Sequence, residues 1–153
     1  MNCNEAGLQI IKIFEGFRSQ PYRCSADVPS IGYGSTFCMD GRRVRMDMEP
    51  VTEDEAEDLL RWGVQNCERA VDKLIKVRLN SNEFSSLVSF VYNLGSGRLQ
   101  SSTLRVKLNR GDRLGAADEL PKWRRAGGRI LRGLVLRRQA ERELFLNEYR
   151  DEA

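Results

Sequence analysis

Glu15, Cys24 and Ser30 are the residues whose types and spacing suit chemistry. They fall within Phe14-Glu15-Gly16, Tyr22-Arg23-Cys24 and Ser30-Ile31-Gly32-Tyr33-Gly34, in a chain of 153 residues with no histidine. Without an imidazole there is no Ser/His or Cys/His nucleophilic couple and no histidine-ligated zinc, so proton transfer near neutrality falls to carboxyls, thiols, lysines or tyrosines. A glutamate beside Phe14 and Phe17 can be raised by desolvation into the range of a general acid; the competing reading is a solvated carboxylate at a helix end. At an ordinary pKa of about 8.5, Cys24 is only a few per cent thiolate at pH 7 unless Arg23 or another cation lowers it. An inert, buried thiol is the alternative. Ser30 offers a hydroxyl that can hold water, whereas Gly32 and Gly34 need only serve a tight bend.

These residues depend on the elements around them. Asn4 is a good N-cap, and Leu8, Ile11, Phe14 and, loosely, Phe17 recur at helical spacing, which predicts a helix over 5–17 with Glu15 near its end. From Pro21 to Val51 the helical period disappears; Asp40-Gly41 is a hairpin signal, and a small antiparallel sheet is expected there. Thr52-Glu53-Asp54-Glu55 is a capping box before a long apolar stripe from Ala56 to Ile75. Asn80 or Asn82 should cap a further helix stopped by Gly95, with shorter helices over 102–109, 112–120 and 134–147. Gly127-Gly128 reads as a local break before the last one. The expected fold is α+β, mostly helical: one domain over 1–153, with a sheet-bearing lobe over about 18–51. A helical lobe over about 76–150 plus the N-terminal helix completes it, the long helix joining the two and a ligand cleft lying between them.

Composition narrows the function classes. The chain is long enough for a real core, and it lacks both an apolar run that spans a bilayer and the pattern of a secretory signal, so a cytoplasmic start without stable membrane insertion is expected. Cys3, Cys24, Cys38 and Cys67 are too scattered for a metal or redox motif, and reduced thiols are the default; a disulfide from Cys24 to Cys38 or Cys3 would block that thiol in an oxidising compartment. The formal charge of +3 hides an acidic stretch over 48–58 and a basic one from Lys122 to Arg142, where Glu141 is the only acid. That basic third should be drawn to anionic material, although a solvated helix face is the plainer reading. Nucleic-acid binding is not expected, since no aromatic interleaving accompanies the arginines.

Glu15, Cys24 nine positions on, and Ser30 six further, followed by Ile-Gly-Tyr-Gly, resemble the catalytic signature of the phage-type lysozymes, glycoside hydrolase family 24. There the order is Glu, then Asp or Cys, then Thr before Ile-Gly-x-Gly. The resemblance extends through Gly16 and Tyr22 to the blocks from Val77 to Asn80, Phe90 to Gly95, Trp123 to Gly127 and Leu134 to Phe145, and so covers nearly the whole chain.

The resemblance implies a lysozyme-like two-lobe fold. It also implies an endolysin, an N-acetylmuramidase that hydrolyses the bond between N-acetylmuramic acid and N-acetylglucosamine in peptidoglycan with inversion and with no metal or cofactor. Glu15 would protonate the glycosidic oxygen, and Cys24 would activate the attacking water. Asp27 as a displaced carboxylate and a covalent thioglycoside rank behind that reading of Cys24. Ser30 replaces the usual threonine and keeps its hydroxyl, while Ser35 stands where many relatives carry histidine. Tyr22, Tyr33, Tyr92, Asn93 and Arg138 are implied as substrate-binding residues. Such an enzyme would be a monomer made in the host cytoplasm, reaching the wall from the periplasmic side once a holin has permeabilised the membrane. A catalytically weakened module that only binds peptidoglycan is the alternative, motivated by the departures at Cys24 and Ser30.

Overall fold

Asn4 starts the first helix in the computed structural model, which describes residues 1–147. Its side chain accepts from the Gly7 amide at 3.0 Å and its carbonyl accepts from Leu8, giving α1 over Glu5–Glu15 with Leu8 and Ile11 buried. The helix is shorter than its apolar spacing predicts. Gly16 donates back to the Lys12 carbonyl at 2.9 Å and ends it, so Glu15 is the last helical residue and Phe17 leaves to pack on Tyr33, ring centres 5.6 Å apart.

Two compact units divide the chain, Ile11–Gln65 on the one hand and Met1–Ile10 with the segment from Asn66 onward on the other. In the first unit, β1 (Arg18–Arg23) and β2 (Pro29–Gly32) form an antiparallel hairpin whose register is broken by a bulge between Arg18 and Tyr22. Pro21 is tolerated in such a two-stranded ribbon because its missing N–H can face outward. Asp40-Gly41 does make a turn, with Cys38 donating to the Arg42 carbonyl, but only the isolated Phe37–Arg43 bridge follows it. Beneath these turns Ile31, Val44 and Leu59 are buried together, and Cys38, Met48 and Val51 pack on them.

The capping box at Thr52 forms as its spacing predicts: Thr52 and Glu55 exchange side-chain-to-amide bonds of 3.0 and 3.1 Å at the start of α2 (Glu53–Leu74). In the second unit, α3 (Ser81–Leu94) is capped by Asn80 and Glu83 in the same reciprocal way and is buried from Glu83 to Val91. Gly7 lies against it so closely that a Cβ there would meet the Ser85 Cβ at 2.7 Å. Short helices α4 (Ser96–Gln100), α5 (Thr103–Asn109) and α6 (Arg113–Glu119) lead to α7 (Arg132–Leu146), which packs on α3. Gly127-Gly128 is more than a break. With φ of +58° and +77° it forms the tight turn of a second hairpin, β3 (Arg125–Ala126) with β4 (Arg129–Ile130), a Gly-Gly signal that spacing alone could have supplied. Residues 148–150, assigned from the sequence to the helical lobe, lie outside the described residues.

Candidate active site

Because α1 stops at Gly16, the Glu15 side chain leaves the last helical turn half-buried beside the β2 end of the sheet. There it meets Gly34. A Cβ on Gly34 would stand 2.7 Å from Glu15 Oε1 and 3.3 Å from Cδ, so only a residue without a side chain admits the carboxyl at this distance. Gly34 also has φ +80°, a left-handed conformation that glycine adopts at little cost. The second glycine of Ile-Gly-Tyr-Gly is therefore part of the carboxyl's seat. Gly34→Ala should cost about 1–2 kcal/mol in backbone strain, and its methyl should push Glu15 aside. Urea unfolding will measure the first effect. A loss of turnover well beyond what the fraction unfolded explains will show the second.

Cys24 closes β1 at the head of a tight loop. Its amide donates to the Val28 carbonyl at 3.0 Å, its carbonyl accepts from the Asp27 amide at 2.8 Å, and Asp27 holds φ +59° to make the turn. The backbone amides of Val28 and then Ala26, with the Ser30 hydroxyl, face the sulfur and pull its pKa below that of an ordinary thiol, against a smaller opposing push from burial. The cause is backbone geometry rather than Arg23, whose guanidinium reaches the Asp27 carbonyl at 3.2 Å and its carboxylate at 3.8 Å. The other thiols differ. Burial pushes Cys3 and Cys67 up to about 12, and Cys38, also raised by burial, lies against Met48 Sδ at 3.7 Å. All four cysteines are free in this structure.

Ser30 is buried on β2, and its hydroxyl donates to the Val28 carbonyl at 3.1 Å, which ties it to the Cys24 loop. Tyr22 links the loop to the acid: burial, then the nearby Glu15 carboxyl, raise its phenol, with a smaller push from Cys24, while Arg18 stacks 4.5 Å above its ring. Tyr33 carries Lys12 Nζ 5.6 Å from its ring centre, and that lysine is fixed at 2.6 Å to Glu57. Asp27 fits the role of a displaced catalytic carboxylate poorly, because its side chain is 85% exposed and directed to Arg23. Among the described residues no cluster of three or more Cys, Asp or Glu could hold a metal.

The phage lysozyme family model matches residues 12–141. The chain belongs to the phage lysozyme family. It is 43% identical to the endolysin of Bacillus phage B103 over 95% of its own length and 54% of that protein's, so it spans about half the length of that relative. The endolysin of Acyrthosiphon pisum secondary endosymbiont phage 1 is 38% identical, with 95% of this chain and 98% of the relative aligned. The solved endolysin from Escherichia coli O157:H7 phage FAHEc1 superposes with a TM-score of 0.85 at 37% identity, covering 96% and 94% of the two chains.

Within the family frame, the remaining substrate-binding expectations fall in the second unit. Tyr92 and Asn93 are half-buried at the C-terminal end of α3. Arg138 needs correction. It is 0% exposed, with its guanidinium against the Phe90 ring, 2.7 Å from Asn93 Oδ1 through NH2 and 2.7 Å from Glu141 Oε1 through Nε. It therefore braces Asn93 from inside and is not a surface that meets a sugar. Sequence reasoning had also missed its partner. Glu141 is fully buried between Arg137 and Arg138, and also accepts from the Ser89 hydroxyl at 2.6 Å; burial raises its carboxyl against the pull of both guanidiniums. The i+3 and i+4 spacing of Glu141 from the two arginines was the available signal.

Proposed function

We propose that this protein is a peptidoglycan hydrolase, an N-acetylmuramidase that cleaves the bond between N-acetylmuramic acid and N-acetylglucosamine. The supporting observation is the seating of the Glu15 carboxyl against Gly34, in the same unit as a thiol whose loop favours its anion. Glu15 gives its proton to the glycosidic oxygen as the bond breaks. The Cys24 thiolate, helped by Ser30, orients and deprotonates the water that attacks the anomeric carbon from the other face, which inverts it. Tyr22, Tyr33, Tyr92 and Asn93 meet the amino sugars with rings and an amide.

The single-domain organisation, a monomeric state, work from the periplasmic side and a holin for access all belong to this reading. Purified peptidoglycan should release soluble fragments with N-acetylmuramic acid at the reducing end, and proton NMR should show the α anomer first from the β-linked substrate. A retained anomer would overturn the direct-water mechanism and make Cys24 the nucleophile. Binding to the polymer without release would leave only the weakened module.

The thiolate has a pH consequence. Its deprotonated form is the active one, so kcat/KM should climb as pH rises through the Cys24 pKa, over a range below that of an ordinary thiol. Cys24→Asp should move that climb down towards about pH 4, so that no rise remains near neutrality, and Cys24→Ser should remove it. A wild-type rate that does not change with pH across this range would exclude the thiolate as base.

A further inference from the structure

Between Glu119 and Glu141 the chain carries Lys122, Arg124, Arg125, Arg129, Arg132, Arg137 and Arg138 and no acidic residue. Three of these are committed: Arg137 and Arg138 to Glu141, and Lys122 to Glu119 at 2.5 Å. Arg124, Arg125, Arg129 and Arg132 are exposed, and among the described residues none of them has an ion-pair partner.

Most of this charge rides on the β3–β4 hairpin. Arg125 pairs with Ile130 and so shares one face with it; Ala126 pairs with Arg129 on the other. Leu131 donates to the Arg124 carbonyl at 3.0 Å, which continues the ladder and adds both residues to the second face. Every residue from Arg124 to Gly133 is exposed, and the aliphatic side chains are no exception, with Ile130 at 49% and Leu131 at 43%. One turn into α7, Leu136 is 41% exposed on the face that begins at Arg132. At its base the ribbon is fixed, because the Trp123 ring meets the buried Phe90 edge-on at 5.6 Å.

We propose that this hairpin docks on the anionic phospholipid face of a bilayer, the guanidiniums of Arg124, Arg125 and Arg129, with that of Arg132 at the start of α7, on lipid phosphates and Ile130 and Leu131 in the interface beneath them. Arginine beside aliphatic on both faces of a protruding ribbon suits a hairpin that enters an interface tip first. A hydrophilic polyanion would match the charge and give the aliphatics nothing to contact. No helix among the described residues is long and apolar enough to cross a membrane.

Sedimentation with sucrose-loaded vesicles tests the surface without any glycan, so its outcome is independent of whether the protein cleaves peptidoglycan. The protein should pellet with vesicles of phosphatidylglycerol and phosphatidylcholine, be released by added salt, and stay in solution with phosphatidylcholine alone. Arg125→Gln with Arg129→Gln should lower partitioning about 30-fold. Ile130→Ser with Leu131→Ser should lower it roughly tenfold with the salt dependence kept. Thermal melting verifies that each variant folds; if one does not, the wild-type contrast between the two lipid mixtures and its salt dependence decide. Failure of the wild type to pellet, or arginine variants that bind as well as wild type, would overturn the proposal. So would serine variants that bind as wild type while soluble poly-glutamate displaces the vesicles, because the surface would then serve polyanions in general.

Discussion

Glu15→Gln should lower turnover of purified peptidoglycan by at least two to four orders of magnitude, with little change in the thermal midpoint. The amide keeps the shape that fits against Gly34, so the packing at 2.7 Å from a would-be Cβ survives, and only the transferable proton is lost. Among the described residues there is no histidine to take over, because the chain contains none. Reducing-end release by wild type and variant at one pH gives the ratio. Comparable rates would remove Glu15 from the mechanism, however well it is seated, and would shift attention to the Cys24 loop.

The largest stability effect should come from Glu141, which touches no substrate in this reading. Its carboxylate neutralises one of two guanidiniums that are as buried as it is, and Ser86 and Ser89 on α3 donate to its carbonyl and carboxylate at 2.6 Å each. Replacing it by Gln leaves two buried cations without an anion, which should cost about 3–5 kcal/mol in urea unfolding. A loss under about 1 kcal/mol would mean that the arginines find other compensation on the α3–α7 face. Asn93 should feel the change as well, since Arg138 holds both Glu141 and the Asn93 amide.

The helices were legible where local chemistry decides them. Asn4 and Thr52 with Glu55 cap the helices that their spacing predicts, and of Asn80 and Asn82 it is Asn80, with Glu83, that caps α3, because a cap is satisfied by atoms three residues away. The first helix is two residues shorter than its periodicity predicts, since the apolar spacing continues to Phe17 while the backbone turns at Gly16. The β3–β4 hairpin is hidden for a different reason: strands of two residues carry almost no alternation, and Gly-Gly reads equally as a break.

By itself the sequence determined that a chain without histidine leaves proton transfer to carboxyls, thiols, lysines or tyrosines, and the resemblance to the phage-type lysozymes singled out Glu15, Cys24 and Ser30 as the candidates. Only the tertiary structure decided their surroundings. Gly34 became the seat of the acid, backbone amides rather than Arg23 became the stabilisers of the thiol, and Arg138 moved from candidate contact to buried brace. The physical reason is that residue type and spacing set what a side chain can donate or accept. Desolvation and partner choice depend on atoms brought close from distant positions, such as Arg138 beside Asn93, forty-five residues earlier in the chain.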